Sequence, residues 1–126
     1  MSEPLRGIIV SHSAVAEALV AAVNAITGIA DALVAVSNEG CDQDALKHRL
    51  IEAADGRAAV LFVDLPGGSC LTSSVRFARG HAELAVVTGV NLAMLLDFVF
   101  HRDMLPADAA RRAVEAGAKA IKVSAA

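Results

Sequence analysis

The chain has 126 residues and a formal net charge of -3, and 56% of its residues are hydrophobic while only 3% are aromatic. This length suits a single domain, residues 1–126, that buries a core without disulfides or a structural metal. A negative net charge and few aromatic rings argue against nucleic acid as a partner, because nucleic acids are bound by basic surfaces and by rings that stack on bases.

The sequence also indicates the compartment in which the chain works. No apolar run approaches the roughly 20 residues that a membrane-spanning helix needs. The N-terminal segment MSEPLRG is short and polar and lacks the features of a signal peptide. The two cysteines, Cys41 and Cys70, are too far apart in sequence for a redox or zinc motif. These features predict a soluble, reduced, cytoplasmic protein.

The first half of the chain alternates apolar runs rich in branched side chains with alanine-rich segments of helical spacing. Ser13 is expected to cap the first helix, and Gly28 is expected to end it. The predicted elements are a strand at residues 6–11, a helix at 14–26, a strand at 32–37 and a helix at 42–54.

The second half of the chain continues the alternation. Pro106 is expected in the first turn of the last helix and Gly117 at its end. Residues 91–101 are apolar on nearly all sides, which suggests a helix that is buried between subunits. The predicted elements are a strand at 58–63, a helix opening near Cys70, a strand at 83–88, a helix at 92–100, a helix from Pro106 and a short strand at 120–123.

This alternation predicts an α/β fold with a doubly wound, mainly parallel sheet of flavodoxin-like strand order. In the order 2-1-3-4 the winding reverses between the first and third strands, and ligands bind beyond the carboxyl ends of the strands at that point. The first strand is followed by His12 and the third by Asp64. The two side chains should therefore be neighbours.

A histidine that is held by a carboxylate can act as a nucleophile toward phosphorus. The carboxylate accepts the hydrogen of one ring nitrogen and leaves the other nitrogen free to attack. After Asp64, the turn Gly67-Gly68-Ser69 opens a helix whose N–H groups and positive end can bind an anion. We therefore predict that His12 and Asp64 are catalytic, that Gly67, Gly68 and Ser69 bind phosphate, and that no metal takes part.

Other interpretations of the same residues stay open at this point. Asp64 could cap a helix or be the phosphoacceptor of a receiver-like domain, although the acidic pair that a receiver needs after its first strand is absent. Gly67 and Gly68 could form only a tight connection. Cys70 could be a nucleophile paired with His12, although small buried cysteines are more often inert. The nucleotide-binding motifs G-x-x-x-x-G-K-[ST] and G-x-G-x-x-G are also absent.

Three motifs resemble a known family: VSHS after the first strand, DLPGGS after the third and VTGVNLAMLLDF after the fourth. They are similar to the enzyme IIA component of the mannose family of the bacterial phosphoenolpyruvate-dependent sugar phosphotransferase system. The similarity runs over residues 7–123. The chain departs from the family pattern at Ser13, Pro66, Cys70 and Ala93.

The resemblance implies a phosphotransferase component that carries phosphohistidine. His12 would accept a phosphoryl group from the carrier HPr and pass it to a IIB domain for sugar uptake, without ATP, cofactor or metal. Asp64 would be the carboxylate partner, with Gly68 and Ser69 in the phosphate cradle. The protein would be a homodimer in which the short last strand is exchanged. It would reach the membrane only through the transporter complex.

Two other functions remain in view. The chain could be a regulatory protein of the same phosphotransferase system and the same fold that moves no sugar. It could also be a non-catalytic scaffold that binds an anion or a partner at the Gly67-Gly68-Ser69 turn. The remaining histidines, His48, His81 and His101, lack an acid at a matching position and are interpreted as solvated.

Overall fold

The structure is a computed structural model and describes residues 3–126. Strands and helices alternate in the predicted order, and most boundaries differ from the predicted ones by only one residue. Within these residues, no helix is both long enough and apolar enough to cross a bilayer. The elements are β1 (Arg6–Ser11), α1 (Val15–Thr27), β2 (Leu33–Ser37), α2 (Gln43–Ala54), β3 (Ala59–Val63), α3 (Ser69–Ala78), β4 (Leu84–Thr88), α4 (Leu92–Val99) and α5 (Pro106–Lys119).

The four strands form one parallel sheet in the order β2-β1-β3-β4. This arrangement confirms the predicted α/β fold and its strand order. The central strands β1 and β3 are buried along almost their whole length, as apolar strands must be when helices cover both faces of a parallel sheet. Val10 of β1 lies opposite Val63 of β3. The residues after the two strands therefore leave the sheet side by side.

Helices cover both faces of the sheet. Helices α1, α4 and α5 pack on one face, where the rings of Phe62 and Phe98 meet edge to face with their centroids 5.0 Å apart. Helices α2 and α3 cover the other face and contribute Leu46, Leu50 and Cys70 to its core. This burial supplies the main favourable free energy of folding and holds the carboxyl ends of β1 and β3 in place.

The apolar face of the fourth helix is covered within one chain, so its composition does not by itself require the predicted burial between subunits. Met94, Leu95 and Phe98 are buried inside the single chain, where α4 packs against α5 and α1. Gly117 also does not end the last helix, because α5 continues to Lys119. A Cβ atom on Gly117 would lie 2.9 Å from Met94 Cε. This glycine therefore permits the close approach of α4 and α5.

The predicted short strand at residues 120–123 is not formed in the single chain. The backbone there is irregular, and the side chains of Ile121 and Val123 are 75% and 81% exposed. A strand is stable only when its N–H and C=O groups have partners. No strand of the described residues lies beside this segment to supply them.

Candidate phosphoryl-transfer site

The side chains of His12 and Asp64 meet at the carboxyl ends of β1 and β3, as predicted from the strand order. Asp64 Oδ2 lies 2.8 Å from His12 Nδ1 and accepts a second hydrogen bond, of 2.9 Å, from the backbone N–H of His12. The other carboxylate oxygen, Oδ1, accepts a hydrogen bond of 2.9 Å from the backbone N–H of Leu65. The carboxylate is thus held on both oxygens and fixes both the backbone and the ring of His12.

These hydrogen bonds decide the charge state of Asp64. Its burial acts to raise the pKa, but the hydrogen bonds from the His12 backbone and ring, the attraction of His12 and the Leu65 N–H outweigh that effect. The net result is a pKa below the ordinary value of 3.8. Asp64 is therefore a carboxylate at neutral pH and can only accept hydrogen bonds.

The same contact sets the hydrogen positions of His12. Because the Asp64 carboxylate can only accept, Nδ1 carries the ring hydrogen and Nε2 of the neutral ring keeps its lone pair. The side chain of His12 is 45% exposed, whereas that of Asp64 is 14% exposed. The arrangement leaves the Nε2 lone pair unused on a partly exposed side chain and holds Nδ1 against a negative charge.

The turn Gly67-Gly68-Ser69 connects Asp64 to α3 and begins that helix. Gly68 is the N-cap, with φ 87° and ψ -172°, and no side chain caps the helix. Ser69 is the first helical residue. The first N–H groups of a helix have no partner inside the helix and carry partial positive charge. Because Cys70 Sγ lies 4.0 Å from His12 Nδ1, this first turn lies beside the imidazole.

Of the two serines that flank His12, Ser11 and not Ser13 caps the first helix. Ser13 was predicted to cap α1, but the N-cap is Ala14, and Ser13 has a left-handed backbone with φ 50°. Ser11 is fully buried, and its Oγ accepts a hydrogen bond of 2.7 Å from the backbone N–H of Ala16. Ser11 therefore does the capping, and its hydroxyl does not face solvent.

Cys70 is the additional side chain that packs against the pair. Burial, together with the negative charge of Asp64, raises the pKa of its thiol to about 11. The thiol is protonated at neutral pH, which argues against a nucleophilic cysteine. The ligand atoms of His12, Asp64 and Cys70 nevertheless all lie within 4.8 Å of one another, which makes them the candidate metal ligands within residues 3–126.

The other histidines lie outside this site. His48 is exposed, as predicted. The interpretation that the others lack an acid was wrong: His81 Nδ1 lies 2.9 Å from Glu83 Oε1, and His101 Nδ1 lies 3.5 Å from Asp97 Oδ1. A spacing of two residues in a turn and of four residues across the end of α4 brought these pairs together. The signal was present in the sequence at both positions.

Solved structures with the same fold span nearly the whole chain. The EIIA component of the phosphotransferase system from Streptococcus agalactiae matches with a TM-score of 0.86 and 20% identity, over 94% of this chain and 96% of that one. The mannose/sorbose-specific IIA subunit from Enterococcus faecalis matches with a TM-score of 0.84 and 22% identity, over 98% and 97%.

A sigma-54 interaction domain protein from Enterococcus faecalis also shares the fold, with a TM-score of 0.74 and 8% identity over 95% of each chain. No curated protein sequence matches the chain. The sequence of residues 7–115, however, matches the EIIA-man family, described as the PTS system fructose IIA component. This match covers the strands, the His12–Asp64 pair and the turn into α3, and the chain belongs to that family.

Proposed function

We propose that this protein is a phosphohistidine carrier of the phosphotransferase system, in which His12 accepts a phosphoryl group from phospho-HPr and passes it to a IIB domain for sugar uptake. The observation that carries the proposal is the pair of hydrogen bonds from His12 to Asp64, which leaves the Nε2 lone pair free on a side chain that is 45% exposed. Membership of the EIIA-man family supports the same function. The protein would act in the cytoplasm and meet the membrane only through its transporter complex.

The chemistry needs one bond to form as another breaks. The lone pair of His12 Nε2 forms a bond to phosphorus while the bond between phosphorus and HPr breaks. HPr is the leaving group and keeps the electron pair of the broken bond. The hydrogen on Nδ1 stays in place and donates to Asp64, whose negative charge stabilises the ring as it becomes positive. Transfer to IIB runs through the same steps in reverse.

The turn into α3 is proposed to bind the phosphoryl oxygens. The backbone N–H groups of the turn Gly67-Gly68-Ser69 and of the start of α3 carry partial positive charge. No side chain caps the helix by accepting hydrogen bonds from them. A carrier must release the group again, so this cradle should bind the transferring phosphoryl group better than the phosphorylated ground state. No metal is required in this scheme.

Phosphorylation by the upstream components tests the proposal. Wild type, His12→Ala and His48→Ala are incubated with phosphoenolpyruvate, enzyme I and HPr, and their intact masses are measured. We expect one acid-labile phosphoryl adduct on wild type and on His48→Ala, a variant of an exposed histidine, and none on His12→Ala. Absence of the adduct on wild type, with HPr of the same source shown to be phosphorylated, would overturn the carrier function and favour the anion-binding or partner-binding scaffold.

A regulatory role without sugar transport is the second candidate. The structural likeness to a sigma-54 interaction domain protein favours keeping it, since that protein's name concerns transcription. The chemistry at His12 would be the same, so the two functions differ only in the fate of the phosphoryl group. A chase of the phosphorylated protein with IIB proteins of the same source distinguishes them, because only a transport component passes the group on.

We also propose a homodimer in which residues 120–123 of one copy pair with the edge of β4 in the other. Strand β4 is an edge strand, and beside it lies a groove of about 540 Å³ lined by Val86, Val87 and Val114 among others. The exposed Ile121 and Val123 have the alternate spacing that a strand needs to place side chains in such a groove. Light scattering after gel filtration should give twice the chain mass, and the monomer mass for Ile121→Asp combined with Val123→Asp.

A further inference from the structure

Cys70 adds a third metal-binding atom to the His12–Asp64 pair. The distance from His12 Nδ1 to Asp64 Oδ2 is 2.8 Å, and that from Cys70 Sγ to His12 Nδ1 is 4.0 Å. A nitrogen, an oxygen and a sulfur donor together form a set that suits Zn²⁺. We propose that His12, Asp64 and Cys70 bind one thiophilic divalent cation of the Zn²⁺ type and that the bound cation blocks phosphorylation of His12.

Two of the three ligand distances approach those of a tetrahedral zinc site after a small rotation of the imidazole. The third, between the Asp64 carboxylate and Cys70 Sγ, lies within 4.8 Å and has to shorten by movement of those two side chains. Ordinary zinc bond lengths place a nitrogen and an oxygen ligand about 3.4 Å apart, and a nitrogen and a sulfur ligand about 3.6 Å apart. The ring of His12 therefore has to move away from Asp64 and toward Cys70 by about half an ångström. A water molecule can supply the fourth ligand, because the His12 side chain is 45% exposed.

Binding changes the protons of two groups. The S–H bond of Cys70 breaks, sulfur binds the cation and the proton goes to solvent. The cation also takes the lone pair at Nδ1, so the ring hydrogen moves from Nδ1 to Nε2. Asp64 becomes a metal ligand and no longer holds the hydrogen on Nδ1. The nitrogen that attacks phosphorus in the proposed function is then occupied by hydrogen, which is why the cation should inhibit. That consequence rests on the proposed function, whereas metal binding does not.

Cobalt gives a direct reading of the site. Co²⁺ bound to a thiolate absorbs in the near ultraviolet through sulfur-to-metal charge transfer, so titration of the reduced protein with Co²⁺ reports on the sulfur ligand alone. We expect this band at one equivalent in wild type and in Cys41→Ser, since Cys41 lies outside the cluster. Cys70→Ser should lose the band while keeping its circular dichroism spectrum. Asp64→Asn should keep the band with weaker binding, which separates loss of a ligand from loss of the fold.

Competition with phosphorylation is measured in a single turnover from purified phospho-HPr, so that enzyme I is absent. Each variant is compared with its own metal-free rate. We expect Zn²⁺ to inhibit wild type and Cys41→Ser equally, and Cys70→Ser to need a Zn²⁺ concentration at least about tenfold higher.

Three results would overturn the inference. Absence of a charge-transfer band in wild type, or its persistence in Cys70→Ser, would remove the proposed site. A band in wild type together with a transfer rate that does not change with Zn²⁺ would refute the proposed inhibition. If wild type shows the band but accepts no phosphoryl group without metal, the metal site stands and the carrier function fails.

Discussion

Asp64 Oδ2 accepts hydrogen bonds from two nitrogens of the same residue, the backbone N–H of His12 at 2.9 Å and its ring Nδ1 at 2.8 Å. One oxygen thus fixes the position of the strand end and the tautomer of the His12 ring. Loss of the negative charge should affect the chemistry more than the fold, because an amide oxygen can still accept but cannot stabilise a positive ring.

For Asp64→Asn we therefore expect the rate of phosphorylation by phospho-HPr to fall about 100-fold or more, in the range that one preorganised electrostatic contact contributes. The rate is measured by rapid quench with the protein in excess. Asp44→Asn, which changes an exposed acid of α2, is the matched control and should stay close to wild type. Equal rates for wild type and Asp64→Asn would show that the carboxylate plays no part in the transfer.

The lowered pKa of Asp64 also makes a prediction for stability. Its folded pKa lies below the unfolded value of 3.8, so ionised Asp64 stabilises the folded state above that pH. The contribution shrinks as the pH falls from about 4 through the folded pKa. In urea unfolding, the difference between wild type and Asp64→Asn should be about 1–2 kcal/mol near pH 6 and decrease below pH 4. The other acids contribute equally to the free energy of unfolding of both proteins, so their contributions cancel in this difference. A difference that does not depend on pH would contradict the lowered pKa of Asp64.

The capping of α1 by Ser11 gives a third prediction. Ser11→Ala leaves the buried N–H of Ala16 without an acceptor and should lower the free energy of unfolding by about 1–2 kcal/mol. Ser13→Ala removes an exposed hydroxyl and should change it by less than about 0.5 kcal/mol. Chemical denaturation of both variants measures the contrast. Equal losses would mean that the Ser11 hydroxyl does not cap the helix.

The order of the strands and the contact between His12 and Asp64 could both be predicted from the sequence. Apolar runs such as residues 58–63 predict buried parallel strands, and the reversal of winding in a 2-1-3-4 sheet brings the first and third strands together. The first residues beyond those two strands then have to meet. The prediction took the strand order from the flavodoxin-like fold class, and the structure confirms both the order and the contact.

The features that could not be predicted depend on atoms far apart in the chain or on backbone angles. The left-handed conformation of Ser13 moves the cap to Ser11. Gly117 has the sequence signature of a helix end, but its contact with α4 gives it another role. The distance from Cys70 to His12 depends on how α3 packs on the sheet. Residues 120–123 pair with no strand of the described residues, so their apolar pattern does not form a strand in the single chain.

Gly117→Ala tests the contact between α4 and α5. In most helices alanine is more stable than glycine by about 1 kcal/mol. Here the new Cβ would lie 3.1 Å from both Met94 Cβ and Asn91 Oδ1, which cannot swing away as Met94 Cε at 2.9 Å can, and overpacking of this kind costs about 1–3 kcal/mol. We expect a net loss of about 1 kcal/mol in the free energy of unfolding, the opposite sign to the general rule. Ala118→Gly, at an exposed position of the same helix, measures the intrinsic helix preference for alanine over glycine without a packing contact. A gain in stability for Gly117→Ala would show that α4 can yield at little cost.

The paired glycines before α3 offer a matched contrast at the proposed phosphate cradle. Gly68 has φ 87° and ψ -172°, a conformation that is essentially restricted to glycine, whereas the backbone of Gly67 has no positive φ and nothing lies within 4 Å of a Cβ built there. Gly68→Ala should therefore cost about 1–3 kcal/mol in the free energy of unfolding, or move the turn to relieve the strain. A moved turn displaces the N–H groups at the start of α3, and phosphorylation of Gly68→Ala by phospho-HPr should then also slow. Gly67→Ala should cost nothing measurable in stability and can even add a few tenths of a kcal/mol by restricting the unfolded chain. Equal stability of the two variants in thermal and urea unfolding would show that the left-handed turn at Gly68 is not required.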